Sequence, residues 1–289
     1  MAPPVNVPPI RSDLAPALVI GCGYLGHRVA ATWRSTGRQV FALTRNRVEP
    51  LTAMGFDAIR GDVLDPISLK QLPRVATVLY AVGLDRSAGK PMREVYVDGL
   101  ANVLHALPGC DRWVSISSTS VYGQTDGSIV DESATTEPLE ESGRIVLEAE
   151  GVLRANLPHA TILRFAGIYG PNRLLRKQPL LKGEPLIGDA EKWLNLIHVQ
   201  DGVRAVLCAE ATPASAGGTY NIADDTPVHR RDFYTHLARL LNAPTAKFEP
   251  GPVTGPEANR RINNRKARDE LGFRPEFTSY EEGLAASLG

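Results

Sequence analysis

Cysteine, aromatic residues and net charge are all scarce in this sequence. It has only three cysteines, Cys22, Cys110 and Cys208, with neither paired nor metal-ligand spacing, so we expect a reducing cytoplasmic environment, no disulfide and no metal site. Thirty-two basic residues balance 32 acidic ones. No charge pattern typical of nucleic-acid or anionic-membrane binding is therefore visible. The expected partner is a small-molecule substrate.

Long apolar runs are also missing. No stretch has the length of a membrane span or of a signal peptide, which predicts a soluble protein. Residues 1–16 are rich in proline and predict a flexible leader. The sequence does not set an oligomeric state, and a homodimer is expected only because symmetric dimers are common.

What the sequence does contain is an alternation of short apolar runs with longer amphipathic stretches. The runs predict buried parallel strands at 18–20, 40–43, 78–82, 113–117, 160–164 and 219–221. Helices are predicted at 25–35, 95–106, 231–241, 265–271 and 277–288. Strands and helices in this order require right-handed crossovers, which predicts an α/β fold with a doubly wound parallel sheet of the Rossmann type.

The pattern changes near residue 170, where a passage rich in proline and glycine begins. We therefore predict a nucleotide-binding domain at 17–169, to which 194–224 return. A small, mostly helical C-terminal substrate lobe is predicted at 170–193 and 225–289.

Three glycines, Gly21, Gly23 and Gly26, form a GxGxxG pattern directly after the first predicted strand. The pattern alone is weak, but between a strand and a helix it allows a tight turn whose amides approach a diphosphate. The alternative is a tight turn without a ligand. The candidate cofactor residues at this edge of the sheet are Gly21, Gly23, Tyr24, Leu25, Gly26, Thr44, Arg45, Asp62, Val63, Ala81, Val82 and Gly83.

The end of the second strand indicates which dinucleotide binds. NAD-binding proteins of this fold carry an acidic residue there, whereas this chain has Arg45 and Arg47 and no carboxylate. Two guanidinium groups suit a 2′-phosphate, so NADP is predicted, with NAD as second choice. Alternatively, both arginines are solvated loop charges. Asp62 could reach the adenine amino group, or it could simply form a turn.

Five further motifs, in order, resemble the extended and atypical short-chain dehydrogenases/reductases, the group that includes the NAD-dependent epimerase/dehydratases. The chain has SSxxVYG at 117–123, LRxxxxYGP at 163–171, IHVxD at 197–201, YNI at 220–222 and KARxELGF at 266–273. The resemblance implies a serine that polarises a substrate oxygen and a Tyr-Lys pair that moves its proton. Ser118 matches the serine.

The Tyr-Lys pair itself is missing. Setting Glu148 on the family's YxxxKxxxE glutamate places Glu140 on the tyrosine and Arg144 on the lysine. A second departure puts Asp98 where the resemblance expects an active-site asparagine. The resemblance thus implies an atypical subgroup with an altered catalytic tetrad.

Several residues are candidates for the missing proton donor. Tyr122, four residues after Ser118, is the first candidate acid, although a buried tyrosine is often only a structural anchor. Glu140 could act as an acid if desolvated, but acidic residues also suit a helix start. Arg144 could hold a phosphate or pair with Glu148. Asp98 could bond Arg144 or a water chain, or could simply face another polar helix group.

Substrate contacts are expected where the chain leaves the sheet. Tyr169 and Asn172 begin that loop, and Arg260 could receive a substrate phosphate or carboxylate, or lie on the solvated surface. His198 is expected to pack at the lobe junction rather than to catalyse. Two hypotheses follow: an NADP-dependent oxidoreductase or epimerase of a small or sugar-like carbonyl or alcohol, and an NADP-binding sensor or partner-binding protein without turnover.

Overall fold

The computed structural model describes residues 15–251 and 255–288. Residues 1–14 of the predicted leader and Gly289 lie outside the described residues. The strands, in chain order, are β1 (Ala17–Ile20), β2 (Val40–Thr44), β3 (Asp57–Arg60), β4 (Thr77–Tyr80), β5 (Arg112–Ser118), β6 (Ile129–Val130), β7 (Thr161–Phe165), β8 (Gly167–Tyr169), β9 (Leu186–Ile187), β10 (Trp193–Leu194), β11 (Leu196–His198), β12 (Thr219–Ile222), β13 (Val228–His229), β14 (Phe248–Glu249) and β15 (Arg261–Ile262). The α-helices are α1 (Gly26–Ser35), α2 (Val48–Ala53), α3 (Gly99–Ala106), α4 (Glu141–Asn156), α5 (Lys177–Lys182), α6 (Val199–Ala211), α7 (Arg230–Leu240), α8 (Arg265–Leu271) and α9 (Tyr280–Leu288).

Seven of these strands form one parallel sheet in the order β12-β7-β5-β4-β1-β2-β3. The chain runs outward from β1 through β2 and β3, and then returns to the other side of β1 as β4. This reversal opens a crevice at the carboxyl ends of β1 and β4, where ligands of such sheets bind. The predicted Rossmann-type doubly wound sheet is confirmed.

Both faces of the sheet are covered because its central strand is apolar on both sides. All four residues of β1 are fully buried. Ala17 and Val19 pack with Trp33 of α1 and with α6, whereas Leu18 and Ile20 pack with α3 on the other face. Such a continuous apolar strand is typical of a parallel sheet between two helical layers.

A separate apolar cluster lies in the C-terminal part. It joins α5, α7 and α9 to the short strands β9, β11 and β13 and includes Phe233, Leu237 and Leu284, all 0% exposed. Two parallel strand pairs, β8 with β11 and β6 with β15, connect distant parts of the chain.

Two predicted segments differ from the structure. The helix expected at 95–106 begins as a π-helical turn, Glu94–Asp98, in which the Gly99 amide donates to the Glu94 carbonyl; α3 follows. The passage at 171–188, predicted only as rich in proline and glycine, contains α5 and β9. Within 15–251 and 255–288, no helix is long and apolar enough to cross a bilayer.

Candidate active site

A cleft of about 810 Å³ opens at the carboxyl ends of the central strands. Its lining comes from the turn after β1, the ends of β2, β4 and β5, the π-helical turn and one face of α4. Every candidate cofactor residue except Gly26 lines it. The turn after β1, the β2 arginines and Ser118 therefore face one common space.

The turn after β1 can hold a diphosphate. Gly21 has φ +92°, and a Cβ there would lie 2.4 Å from the Ala81 carbonyl group, so only glycine fits. A Cβ on Gly26 would meet the Gly21 oxygen at 2.3 Å, whereas one on Gly23 would meet nothing within 4 Å. Gly21 and Gly26 thus allow close packing, and Gly23 leaves space for a ligand to approach.

The same turn provides free amides. The Tyr24 and Leu25 N–H groups donate to no acceptor among the described residues, and the first turn of α1 carries neither a side-chain cap nor an acidic residue. Unpaired amides at a helix N-terminus favour an anion. The residues present therefore fit the diphosphate of a dinucleotide.

Two guanidinium groups lie over the Tyr24 ring. The guanidinium of Arg28 is 4.1 Å from the Tyr24 ring centroid, and that of Arg173 is 5.4 Å from it. The Tyr24 hydroxyl donates to the Pro171 carbonyl at 2.9 Å, which joins the turn to the loop that leaves the sheet. Arg173 also lines the cleft. Its positive charge lies close to the diphosphate turn.

After β2, Arg47 contacts the turn that follows β1, and Arg45 pairs with the loop after β4; both line the cleft. Arg47 Nη1 donates to the Cys22 carbonyl at 3.3 Å, and its amide bonds the Thr44 hydroxyl at 3.2 Å. Arg45 forms a half-exposed ion pair with Asp85 at 2.7 Å. Burial raises the pKa of Cys22 to about 11, although Arg47 opposes this, so the thiol is neutral.

Asp62, the predicted adenine contact, has only one carboxylate oxygen free for a ligand. One carboxylate oxygen of Asp62 accepts the Leu64 amide at 2.9 Å and forms a local turn, as the alternative interpretation expected. Its second oxygen accepts no hydrogen bond from the described residues. Val63 lines the cleft beside Asp62, and Ala81, Val82 and Gly83 line it at the end of β4.

Ser118 lies in the cleft, as its motif predicts. It ends β5, and its hydroxyl oxygen accepts the Ser120 amide at 3.1 Å. The hydroxyl proton bonds no described protein acceptor. Ser120 and Ser142 line the same region. Hydroxyl groups are thus available there to bond a substrate oxygen.

The proposed register of α4 is wrong by two residues. Ser142, Val146 and Glu150 line the cleft, whereas Arg144 and Glu148 lie on the outer surface of the helix. Exposed Glu140 precedes the helix, and Arg144 donates to the Leu139 carbonyl at 2.7 Å. A YxxxKxxxE pattern that faces the cleft therefore falls on Ser142, Val146 and Glu150. The Tyr-Lys pair is absent in this register too.

Asp98 also lies outside the cleft. It is exposed and pairs with Arg93 at 3.3 Å, and Arg93 in turn binds Glu148 of α4. Tyr96, two residues earlier, faces the cleft instead. The predicted bond between Asp98 and Arg144 is not formed, because the two side chains have other partners.

Tyr122 is not placed to donate a proton to a ligand in the cleft. It is 0% exposed, and its hydroxyl donates to Asn221 Oδ1 and accepts from Arg164, each at 2.9 Å. Burial raises the pKa of this phenol. Tyr122 is thus a structural anchor, which was the alternative interpretation of this residue.

Behind Tyr122 runs a buried polar network. Glu150 accepts two hydrogen bonds from Arg164, at 2.7 and 3.0 Å, and one from the Ser117 hydroxyl at 2.5 Å. Burial opposes the charged form of Arg164, but the hydrogen bonds and charge of Glu150 raise its pKa. The network joins β5, α4, β7 and, through Tyr122, Asn221 of β12. It holds α4 against the sheet.

The predicted substrate residues do not meet in the cleft. Tyr169 is 0% exposed and packs against Gly283, while Asn172 is exposed in a left-handed turn at φ 65°. Arg260 donates to the Thr119 carbonyl at 2.6 Å, beside the loop that follows Ser118. None of the three lines the cleft, so the structure does not support the prediction that they contact a substrate there.

His198 packs at the junction, as expected. Burial lowers its pKa to about 4, and the positive charge of Arg28 adds to this effect. Its neighbour in the IHVxD motif, Asp201, accepts the amides of Glu276 and Phe277 at 2.6 and 3.1 Å. The motif therefore fastens the C-terminal segment to α6.

Residues 17–223 match the model of the NAD dependent epimerase/dehydratase family. The chain belongs to this family. Protein YeeZ of Escherichia coli K12 is 30% identical over 273 residues, which cover 90% of this chain and 95% of YeeZ. A 3-diazoavenalumate denitrifying reductase from a Streptomyces species is 26% identical and covers 92% and 98% of the two chains.

A solved structure with bound ligands is also similar to this chain. MoeE5 in complex with UDP-glucose and NAD superimposes with a TM-score of 0.78 at 26% identity, covering 94% of this chain and 97% of that one. The family is NAD(P)-dependent and includes epimerases, dehydratases and reductases.

Sequence reasoning missed Glu150 and Tyr96. Glu150 could have been found from the sequence. It is the other glutamate of this stretch that can be aligned with the glutamate of YxxxKxxxE, and its charge is complementary to Arg164 of the LRxxxxYGP motif. Nothing in the sequence favoured Tyr96 over Asp98, because the π-helical turn that sets their directions has no clear sequence signal.

Proposed function

We propose that this chain is an NADP-dependent oxidoreductase or epimerase that acts on a small or sugar-like carbonyl or alcohol. Arg45 and Arg47 are the reason for choosing NADP over NAD, because they follow β2 and no carboxylate lies on that strand. When bound, the dinucleotide supplies or accepts a hydride. The turn after β1 would hold its diphosphate, and Arg47 with Arg45 its 2′-phosphate.

The reaction part rests on the hydroxyl groups at the end of β5. Ser118 would bond the reacting oxygen of the substrate, because its proton has no described acceptor and its oxygen is fixed by the Ser120 amide. The reductase and epimerase relatives support turnover. A cofactor-binding protein without turnover is the competing function.

Cofactor preference is tested by titrating the protein against NADPH and NADH fluorescence. The native chain should bind NADPH at least about tenfold more tightly, because a charge-assisted hydrogen bond contributes about 1.5 to 3 kcal/mol. Arg47→Ala and Arg45→Ala should weaken NADPH binding and leave NADH binding unchanged. Arg265→Ala is the control, since Arg265 is exposed on α8 and pairs only with Asp269 among the described residues. Equal affinity of the native chain for both dinucleotides would overturn the NADP assignment.

Turnover is tested with a panel of ketones, oxo acids, sugars and nucleotide sugars, with NADPH or NADP⁺ absorbance as the readout. Ser118→Ala should reduce the rate on any active substrate by about 100-fold or more, a typical effect of losing a polarising group. Ser133→Ala, on the exposed loop before α4, should have no effect. Tight dinucleotide binding without turnover of any compound would favour the sensor instead.

A further inference from the structure

Tyr96 is a phenol in the cleft that the sequence motifs do not assign. It is half-buried on the π-helical turn that precedes α3, and it lines the cleft together with Met92, Val95 and Leu100. Its ring packs against the apolar cluster that contains Val146 and Ala166. Val146 is the α4 residue at the lysine position of the corrected register. The phenol therefore lies beside the part of α4 that lacks a proton donor.

The hydrogen bonding of Tyr96 leaves its proton free. The hydroxyl oxygen accepts the Leu84 amide at 3.3 Å, which fixes the ring to the loop after β4. No described acceptor takes the phenolic proton. Tyr80 and Tyr122, by contrast, are buried, with 5% and 0% exposure.

The π-helical turn determines which side chains face inward. Arg93 and Asp98 point outward and bind Glu148 and each other on the outer surface. At Gly99, a Cβ would lie 2.7 Å from Val63 Cγ2, so the turn is pressed against the loop after β3. Inserted π turns are frequent at functional sites. The ion pairs of Arg93 fix the π-helical turn on its solvent side, and the contact of Gly99 with Val63 fixes it on its buried side.

We propose that Tyr96 is the catalytic acid and base of this site, in place of the absent tyrosine of α4. The inference rests on the proposed function. In a reduction, the reduced dinucleotide would supply a hydride to the carbonyl carbon and would itself be left oxidised. The carbonyl π bond breaks, and its electron pair moves to oxygen. That oxygen takes the Tyr96 proton, and water at the cleft mouth reprotonates the phenolate. Oxidation of an alcohol runs through the same steps in reverse.

The first test compares three tyrosine variants by turnover of an active substrate from the panel. Tyr96→Phe should lower the rate by about 100-fold or more, as removal of a general acid does, while NADPH affinity stays within about threefold. Tyr220→Phe is the control, because Tyr220 does not line the cleft and its hydroxyl donates to Glu270 of α8 at 2.9 Å. Tyr122→Phe should keep turnover and lose stability. Full activity of Tyr96→Phe would overturn the proposal.

The second test needs no turnover. Ultraviolet difference titration follows tyrosine ionisation in the free and the NADP⁺-bound protein. Because the oxidised nicotinamide is positively charged, it should lower the ionisation midpoint of one tyrosine, and Tyr96→Phe alone should abolish this shift. Persistence of the shift in Tyr96→Phe would overturn the proposal.

The two tests separate the failure modes. If no compound of the panel is turned over but the Tyr96-dependent shift occurs, the proposed activity fails and the position of Tyr96 beside the nicotinamide is supported. If turnover occurs without dependence on Tyr96, only the present inference fails. If neither dinucleotide binds, both fall.

Discussion

At the scale of single residues, the structure separates side chains that face the cleft from side chains that only resemble catalytic ones. Ser118 and the glycines of the first turn follow from the sequence, because a turn between strand and helix fixes the backbone itself. The side-chain direction on α4 does not. Glu148 and Glu150 both fit the spacing of the motif, and only the contact of Glu150 with Arg164 decides between them.

His198 gives a prediction for the pH dependence of stability. It is 1% exposed, and its pKa is lowered to about 4 from 6.5 by burial. The unfolded chain takes up this proton as the pH falls through about 6.5, whereas the folded chain does so only near 4. The free energy of unfolding should therefore fall by about 3 kcal/mol as the pH decreases from about 6.5 to about 4.

Urea unfolding of the native chain and of His198→Asn at several pH values measures this contribution. The asparagine can still accept the Gln200 amide but does not titrate. The difference in unfolding free energy between the two proteins should shrink by about 3 kcal/mol over this range. Burial raises the pKa of Asp201 to about 6, so its titration changes stability in the opposite direction. This effect is common to both proteins and cancels when one unfolding free energy is subtracted from the other. A difference independent of pH would contradict the prediction.

At the scale of elements, helix α4 illustrates what a pattern cannot supply. A helix here is expected from the resemblance and from the acidic residues that suit its start, but its contacts depend on how closely it meets the loop after β5. At Gly143, a Cβ would lie 2.4 Å from the Ser120 carbonyl oxygen and 2.7 Å from Pro138 Cβ. A Cβ on Gly151, in the same helix, would meet nothing within 4 Å. The two glycines therefore have opposite consequences when replaced.

Gly143→Ala should destabilise the protein by about 1 to 3 kcal/mol, because the helix must move away from Ser120. It should also weaken any activity that depends on Ser142 and Ser118. Gly151→Ala should stabilise the protein by about 0.4 to 1 kcal/mol, since an unhindered alanine reduces the entropy of the unfolded chain. Urea unfolding and the panel assay measure both effects. Equal stability of the two variants would show that α4 can shift freely.

At the scale of the whole molecule, the sheet and the C-terminal part are interleaved rather than joined by one hinge. β8 pairs with β11, β6 pairs with β15, and Asp201 of α6 holds the amides of Glu276 and Phe277. The sequence predicted the boundary near residue 170 from a change of composition. It could not predict these pairings, because each joins residues that are distant along the chain.

This interleaving predicts one cooperative unfolding transition. Trp33 and Trp113 report on the sheet, and Trp193 lies on β10 near the C-terminal cluster. Fluorescence of the native chain, fluorescence of Trp193→Phe and far-UV circular dichroism should give coincident urea midpoints. An earlier transition of the Trp193 signal would mean that the C-terminal part unfolds on its own.

The pairing of β6 with β15 also has a consequence for synthesis on the ribosome. β6 lies between the Ser118 loop and α4, yet Arg261 and Ile262, its partners, are made more than a hundred residues later. A nascent chain that has already formed the turn for the diphosphate still lacks the strand that completes the loop beside Ser118. The strands that flank the turn after β1 are all made by residue 80, so synthesis supplies that side of the cleft long before the strand that pairs with β6.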